Sequence, residues 1–369
     1  MRFLTADYLY PLNTDPIKEG VLKISSSGEV IDILSHRKSA PKKALEIFNG
    51  ILCPGFINAH CHLELSHLKG LIEQRKGLLD FIMKIQQKRN FHKNDILAAI
   101  ENAEKEMLKN GIVGVGDICN TQDTLTQKLK GNLKYYNFIE VFGVKDSNVN
   151  QIMIKARGLR DKFRRHKLKA TIAPHAPYSV PKKLMQEIIG NFDSQDKLVS
   201  IHMQETSYEN ELFKNKQGEL FNWLKNMNAS SETWEKRNKS IDIFNDVKLK
   251  NGLLVHNTFA QKKDIGSHYY CTCPKANLYI ENTLPDYNIF NVDKLCVGTD
   301  SLASNNSLSV LEELKIIKEN STFDLNTLFK IACKNGAEAL GFDDLGTFEK
   351  GKKPGVNLIS EWTKISVIA

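Results

Sequence analysis

An α/β chain organised as a (β/α)₈ barrel is the architecture this sequence predicts, and three observations carry that prediction. Eight short apolar runs lie between residues 50 and 300, and most are followed by a longer, charged, helix-like stretch. The chain has 369 residues, 41% hydrophobic and 25% charged, enough for one large barrel with a small accessory unit. The first apolar run ends in "NAHCHLELSH" and lacks the glycine-rich phosphate loop that an open doubly wound sheet would place there.

The elements follow in order. Residues 1–50 read as short strands, "RFLTADYLYPL", "GVLKIS" and "GEVIDILS", separated by turn signals such as "SSSG". The barrel strands are expected at 50–62, 111–118, 133–143, 168–177, 198–205, 252–259, 268–274 and 294–300. Helical patterns lie between them at 94–110, 181–191 and 307–320, with Pro181 suited to a first helical turn. A long polar insert covers 206–250 and contains the helix-like "NELFKNKQGELFNWLKN". After residue 335 the chain returns to short strands, which complete a small β-unit with the N-terminal ones. The expected divisions are 1–54, 55–335 and 336–369.

Composition narrows the function. The net charge of +8 is scattered, and "KFRRHKLK" at 162–169 reads as a solvated helix end, so no nucleic-acid partner is expected. No apolar run reaches the ~18–20 residues of a membrane span. The start lacks a signal peptide's apolar core, so the expected location is cytoplasmic, with no membrane partner. Seven cysteines, an odd number set mostly in apolar runs, suit reduced buried thiols, and "CTC" at 271–273 lacks the spacing of a zinc knuckle. A small-molecule substrate is expected; homo-oligomerisation is left open.

Five of the ten histidines fall at strand ends: His60, His62, His175, His202 and His256, with Glu205 and Asp300 beside them. In a barrel of this type, functional side chains sit where strands end. His60 and His62 share one face of a strand at a spacing of two and can aim two nitrogens at one point. His60, His62, His202 and Asp300 form a donor set for one divalent ion. Such an ion lowers the pKa of its water towards ~7, and Glu205, three residues after His202, is placed to shuttle the proton. His256 is placed to orient that water or polarise the substrate. Other readings stay open: Asp300 in "GTDS" as a turn cap, Glu205 as a solvated loop carboxylate, and His175 between two prolines as a structural histidine. His67 and His268 read as packing or surface residues, and Cys61 as facing away from the pair.

These pieces together resemble the amidohydrolase superfamily, in its branch of chlorohydrolases and purine or nucleoside deaminases. The matching stretches are "PGFINAHCHLELS" (54–66), "APHAPYSV" (173–180), "IHMQET" (201–206), "LVHNTF" (254–259), "CPKANLYI" (273–280), "VGTDSLASNNSL" (297–308), and "NGAEALGF" followed by "GTFEKGKKPG". The resemblance implies a (β/α)₈ barrel flanked by a small β-sandwich built from both termini. It implies one metal ion, zinc or in some members iron, held by His60, His62, His202 and Asp300. Glu205 matches the proton-shuttling glutamate, His256 the polarising histidine, Asp300 a ligand that also contacts the nucleophile, and His175 a substrate contact. No strand-end lysine suited to bridging two metals is present. The sequence departs from the family at "GKKPGVNLI", in a short C-terminal segment, and in the 206–250 insert.

The expected activity is hydrolysis of a carbon–nitrogen bond: deamination of an adenine-bearing, nucleoside-like metabolite by a metal-bound hydroxide. Hydrolysis of a cyclic amide and displacement of chloride are the alternatives on the same site. A non-enzymatic relic barrel is disfavoured because every functional position is filled.

Overall fold

The computed structural model describes residues 1–196, 198–230, 235–244 and 251–369. The insert predicted over 206–250 is therefore described in part, and residues 231–234 and 245–250 lie outside the described residues.

The N-terminal strands are β1 (Arg2–Thr5), β2 (Tyr8–Leu9), β3 (Ile17–Lys18), β4 (Val21–Ile24), β5 (Val30–Leu34), β6 (Leu45–Ile47) and β7 (Ile51–Pro54). Eight strands follow: β8 (Phe56–Cys61), β9 (Ile112–Cys119), β10 (Lys134–Val141), β11 (Lys169–Pro174), β12 (Val199–Met203), β13 (Gly252–His256), β14 (Tyr269–Thr272) and β15 (Leu295–Val297). The last two are β16 (Val356–Ser360) and β17 (Lys364–Val367).

Terminal strands make two sheets, ordered β5-β4-β1-β6 and β17-β16-β7-β2-β3. Strand β16 from the C-terminal end pairs with β7 from the N-terminal end, so both ends of the chain build one sheet. Leu4, Leu22 and Val30 of one sheet share a buried cluster with Leu9, Leu52, Val356 and Leu358 of the other. The expected first barrel strand, 50–62, is thus two strands. Ile51–Pro54 belongs to a terminal sheet, and Gly55 turns the chain into β8. A Cβ on Gly55 would lie 2.7 Å from the Pro354 carbonyl oxygen, so the crossing needs glycine.

The eight middle strands form two parallel runs, β8-β9-β10-β11 and β12-β13-β14-β15. Backbone bonds join the runs at both edges. The His202 N–H donates to the His175 carbonyl at 2.9 Å, and the Thr299 and Asp300 N–H groups both donate to the His60 carbonyl at 3.1 Å. A Cβ on Gly298 would sit 2.7 Å from that same His60 oxygen, so glycine lets the last strand come this close to the first. Nearly every residue of these strands is buried, as expected of parallel strands covered on both faces.

Helices lie between the strands: α1 (Leu78–Lys88), α2 (Lys93–Lys109), α3 (Leu125–Lys128), α4 (Val149–Arg165), α5 (Lys182–Gly190), α6 (Ser207–Asn215) and α7 (Glu219–Asn226), then 274–280, 310–319 and 335–340. α4 packs on β10 and β11 through Met153, Ala156 and Phe163. Two expectations need correction. Pro181 is the extended residue before α5 rather than its first turn. The helix-like segment inside the insert is two helices, because Lys216 is left-handed (φ 55°) and Gly218 has φ 93°, which ends one helix and starts the next. All seven cysteines are free and buried. Among the described residues, no helix is long and apolar enough to cross a membrane.

Candidate active site

His60 lies on β8, and His62 is the first residue past its end, preceding a 3₁₀ turn over Leu63–Leu68. The ladder to β9 slips by one residue between Asn58 and Cys61, a bulge that bends the strand where the two histidines stand. Their Nε2 atoms are 3.1 Å apart. His202, near the end of β12, brings its Nε2 to 3.3 Å from that of His62. Asp300 lies three residues beyond β15 in a left-handed conformation (φ 55°), bridged to Cys61 of β8. Its Oδ1 stands 3.5 Å from His60 Nε2 and 3.4 Å from His62 Nε2.

These four donors fit a divalent ion. A tetrahedron with bonds of about 2.0–2.1 Å has edges of about 3.3 Å, and four of the donor separations run from 3.1 to 3.5 Å. The ring of His202 is oriented by its surroundings. Its Nδ1 lies 2.8 Å from the His175 carbonyl oxygen, which places the proton on Nδ1 and the lone pair of Nε2 towards the cluster. The His60 Nδ1 is buried with no hydrogen-bond partner.

Burial, first of all, holds His62 and His202 below the ordinary imidazole range. Burial pushes His62 down to about 3, with His60 adding to the shift and Asp300 opposing it. His202 is held well below its ordinary value by burial and by the charges of His175, His60, His62 and His256. Burial raises the Asp300 carboxyl, but the hydrogen bond from His60 and the charges of His62 and His256 outweigh it, so Asp300 stays ionised. The cluster offers three imidazole nitrogens and one anionic oxygen.

Glu205 and His256 stand beside it. His256 ends β13 with φ 70°, and its Nε2 is 3.5 Å from Glu205 Oε1. Asn277 Oδ1 accepts from His256 Nδ1 at 2.8 Å and fixes the other nitrogen towards the cavity. Glu205 is raised well above the carboxylate range by burial, and next by Asp300, Glu281 and Glu140. Its backbone N–H donates to Glu209 Oε1 at 3.0 Å, while the Gln204 N–H donates to Glu209 Oε2 at 3.2 Å. Gln204 (φ 49°), His256, Asn257 (φ 52°) and Asp300 all occupy the left-handed region. Non-glycine strain concentrated at strand ends is a common mark of functional positions.

A cavity of about 540 Å³ opens over this floor and reaches His62, His175, His202, Glu205, His256 and Asp300. Its outer wall is apolar: Phe81, Ile82 and Ile85 of α1, and Trp223 of α7 with Met227 after it. Gln86, Arg89, Asn120 and Glu140 supply polar groups. His175 lines the cavity, with its Nδ1 2.7 Å from Ser179 Oγ. Six of the seven expected residues thus line one cavity, and His60 lies fully buried with its Nε2 3.1 Å from that of His62.

Several contributors carried no assigned role in the sequence. Asn277 lies in the quoted "CPKANLYI". Ser304, in "DSLASN", donates its Oγ–H to Asp300 Oδ2. Glu209 stands at the third helical position after the Thr206 N-cap, a capping-box spacing readable in "TSYE". The apolar wall from α1 has no motif at all. His67 is a packing residue, with Nε2 3.0 Å from the Arg89 carbonyl oxygen and its ring against Phe91.

Comparison with known proteins places these features in a family. Over 349 residues the chain is 29% identical to an adenosine deaminase of Helicobacter pylori, covering 89% of this chain and 84% of that protein. It is 27% identical to an aminodeoxyfutalosine deaminase of Nitratiruptor, covering 93% of this chain and 87% of the other. Among solved structures it resembles the Helicobacter pylori aminofutalosine deaminase in complex with methylthio-coformycin, with TM-score 0.79 and 26% identity over 98% of this chain and 93% of that one. The family model for amidohydrolases matches residues 51–367, and the chain belongs to the amidohydrolase family.

Proposed function

We propose that this protein is a single-metal hydrolase that deaminates an adenine-bearing nucleoside or nucleoside-like metabolite. The observation that carries the reading is the convergence of His60, His62, His202 and Asp300 at tetrahedral spacing, with Glu205 and His256 beside them on the floor of one cavity. The joined edges of the two parallel runs support a closed (β/α)₈ barrel, and the shared core of the terminal sheets supports a flanking β-sandwich.

His60, His62, His202 and Asp300 would hold the ion, with zinc the best match for three imidazoles and one carboxylate. When bound, the ion supplies a water whose pKa lies near ~7 and polarises the reacting carbon–nitrogen centre. Glu205 takes the proton of the attacking water and returns it to the departing amino nitrogen. Its upward-shifted carboxyl suits both steps, because it can hold the proton between them. His256, with Nδ1 committed to Asn277, turns Nε2 towards the reacting centre and Glu205. Asp300, kept ionised and fixed by Ser304, holds the nucleophile in line. His175 contacts the substrate at the cavity wall.

The cavity supports a substrate larger than a bare base, since about 540 Å³ lies in the range of pockets that enclose drug-sized molecules. Its polar groups suit a sugar and its apolar wall a less polar substituent. The relatives named as adenosine and aminodeoxyfutalosine deaminases support the same class. The test is ammonia release by metal-loaded protein from adenosine, methylthioadenosine, adenosylhomocysteine, aminodeoxyfutalosine, guanine and cytosine. Release from one or more adenine nucleosides is expected. Activity on free guanine or cytosine alone would overturn the nucleoside assignment.

A further inference from the structure

Behind the candidate site, on the far side of β9, lies a fully buried ion pair. Lys128, the last residue of α3, has no exposed side-chain surface, and neither has Asp117 of β9. The Lys128 Nζ donates to Asp117 Oδ2, to Asn137 Oδ1 at 2.7 Å and towards Cys119 Sγ at 3.1 Å. The rings of Tyr135 and Phe163 flank it, with centroids 4.9 and 5.3 Å from the ammonium. An ion pair this dry is a poor means of stabilising a fold, since apolar side chains of similar volume often do as well. Its position points to another purpose.

Asp117 Oδ1 accepts the N–H of Leu63, the residue after His62, at 2.8 Å. The bulge between Asn58 and Cys61 takes this stretch of β8 out of regular ladder pairing, so a side chain on β9 supplies the acceptor instead. On the other flank, the His60 carbonyl is held by the N–H groups of Thr299 and Asp300. The backbone that carries both histidines is therefore tied at two points, and Asp117 is one of them.

We propose that Asp117 and Lys128 are positioning residues for the metal site: Asp117 fixes the backbone after His62 through Oδ1, and Lys128 supplies the buried counter-charge at Oδ2. This rests on the reading of His60, His62, His202 and Asp300 as ligands. It assigns part of the metal affinity to a side-chain oxygen that touches neither ion nor substrate, with the lysine needed only as the counter-charge of the carboxylate. Both charges act as a unit, since removing Lys128 alone leaves a buried carboxylate without its counter-charge.

Two double variants test this. D117L/K128M removes both charges and the acceptor for the Leu63 N–H. D117N/K128M removes both charges and keeps an acceptor oxygen. Zn²⁺ affinity is measured by chelator competition, alongside the melting temperature of the metal-free protein and kcat and KM of the metal-saturated enzyme. The expected result is a 10–100-fold loss of affinity in D117L/K128M, the scale of an outer-shell partner. D117N/K128M is expected to stay within about threefold of the parent, and KM within about threefold in both. Equal affinity in the two variants, or failure of D117L/K128M to fold without metal, would overturn the proposal by making the pair a requirement of the fold alone. A parent protein that binds no ion would overturn the ligand assignment itself, and this inference with it.

Discussion

Replacing Glu205 with glutamine separates proton transfer from every other duty of the site. The side chain is buried on the cavity wall and keeps its volume, and the backbone at 205 is held independently by Glu209 at 3.0 Å. The amide therefore occupies the place of the carboxylate, 3.5 Å from His256 Nε2, without disturbing the four candidate ligands. It cannot accept a proton from water or return one to nitrogen. A positioned acid–base group contributes about 10²–10⁴-fold, which corresponds to about 2.7–5.4 kcal/mol of transition-state stabilisation lost. The loss should appear in kcat, with metal content near one ion per chain and a far-ultraviolet spectrum matching the parent. A pH profile gives a second readout. The Glu205 carboxyl is raised by burial and neighbouring anions, so the base form is lost as pH falls, and the acid limb of the parent profile should be absent from E205Q. A variant with turnover within about threefold of the parent, or one that retains the acid limb, would refute the assignment of Glu205.

Three further outcomes follow from the geometry. His60→Ala and His202→Ala should each lose most bound metal and all activity, measured by elemental analysis after dialysis; full occupancy in both would contradict the ligand set. Ser304→Ala removes the hydroxyl that donates to Asp300 Oδ2 and should lower metal affinity or kcat by about 10–100-fold; unchanged values in both would show that Asp300 holds its place unaided. Glu313, buried against the Lys275 N–H and Asn305, is pushed up to about 8 by burial. A raised carboxyl contributes stability that is present below its unfolded value near 4.5 and lost as pH rises through about 8. Metal-free parent should therefore lose roughly 4 kcal/mol relative to Glu313→Gln between pH 5 and 8, read by denaturant unfolding; parallel pH profiles would contradict it.

The histidines were legible in the sequence because strand periodicity is short-range. A spacing of two puts His60 and His62 on one face, and the ends of apolar runs mark where His175, His202, His256 and Asp300 emerge. What spacing could not convey was the bulge that brings the first pair together or the left-handed turns that aim His256 and Asp300. Partner residues were harder still. Asn277 and Ser304 sit inside quoted motifs, but their roles depend on which atoms meet across strands. Lys128 in "TLTQKLKG" carries no motif, and its burial arises only where its side chain meets Asp117 of β9 and Asn137 of β10. The apolar wall from α1 carries no motif, and nothing local says that Phe81, Ile82 and Ile85 line a cavity.

Turnover of adenosine or methylthioadenosine by metal-loaded protein in ¹⁸O-labelled water shows whether one bound ion supports the exchange of a ring amino group for oxygen from water, with ammonia and the mass of the purine product measured together. One ammonia and one solvent-derived oxygen per product are expected, lost together in His202→Ala. Ammonia from no aminopurine nucleoside, with hydrolysis of a cyclic amide or a chlorotriazine instead, would contradict that expectation.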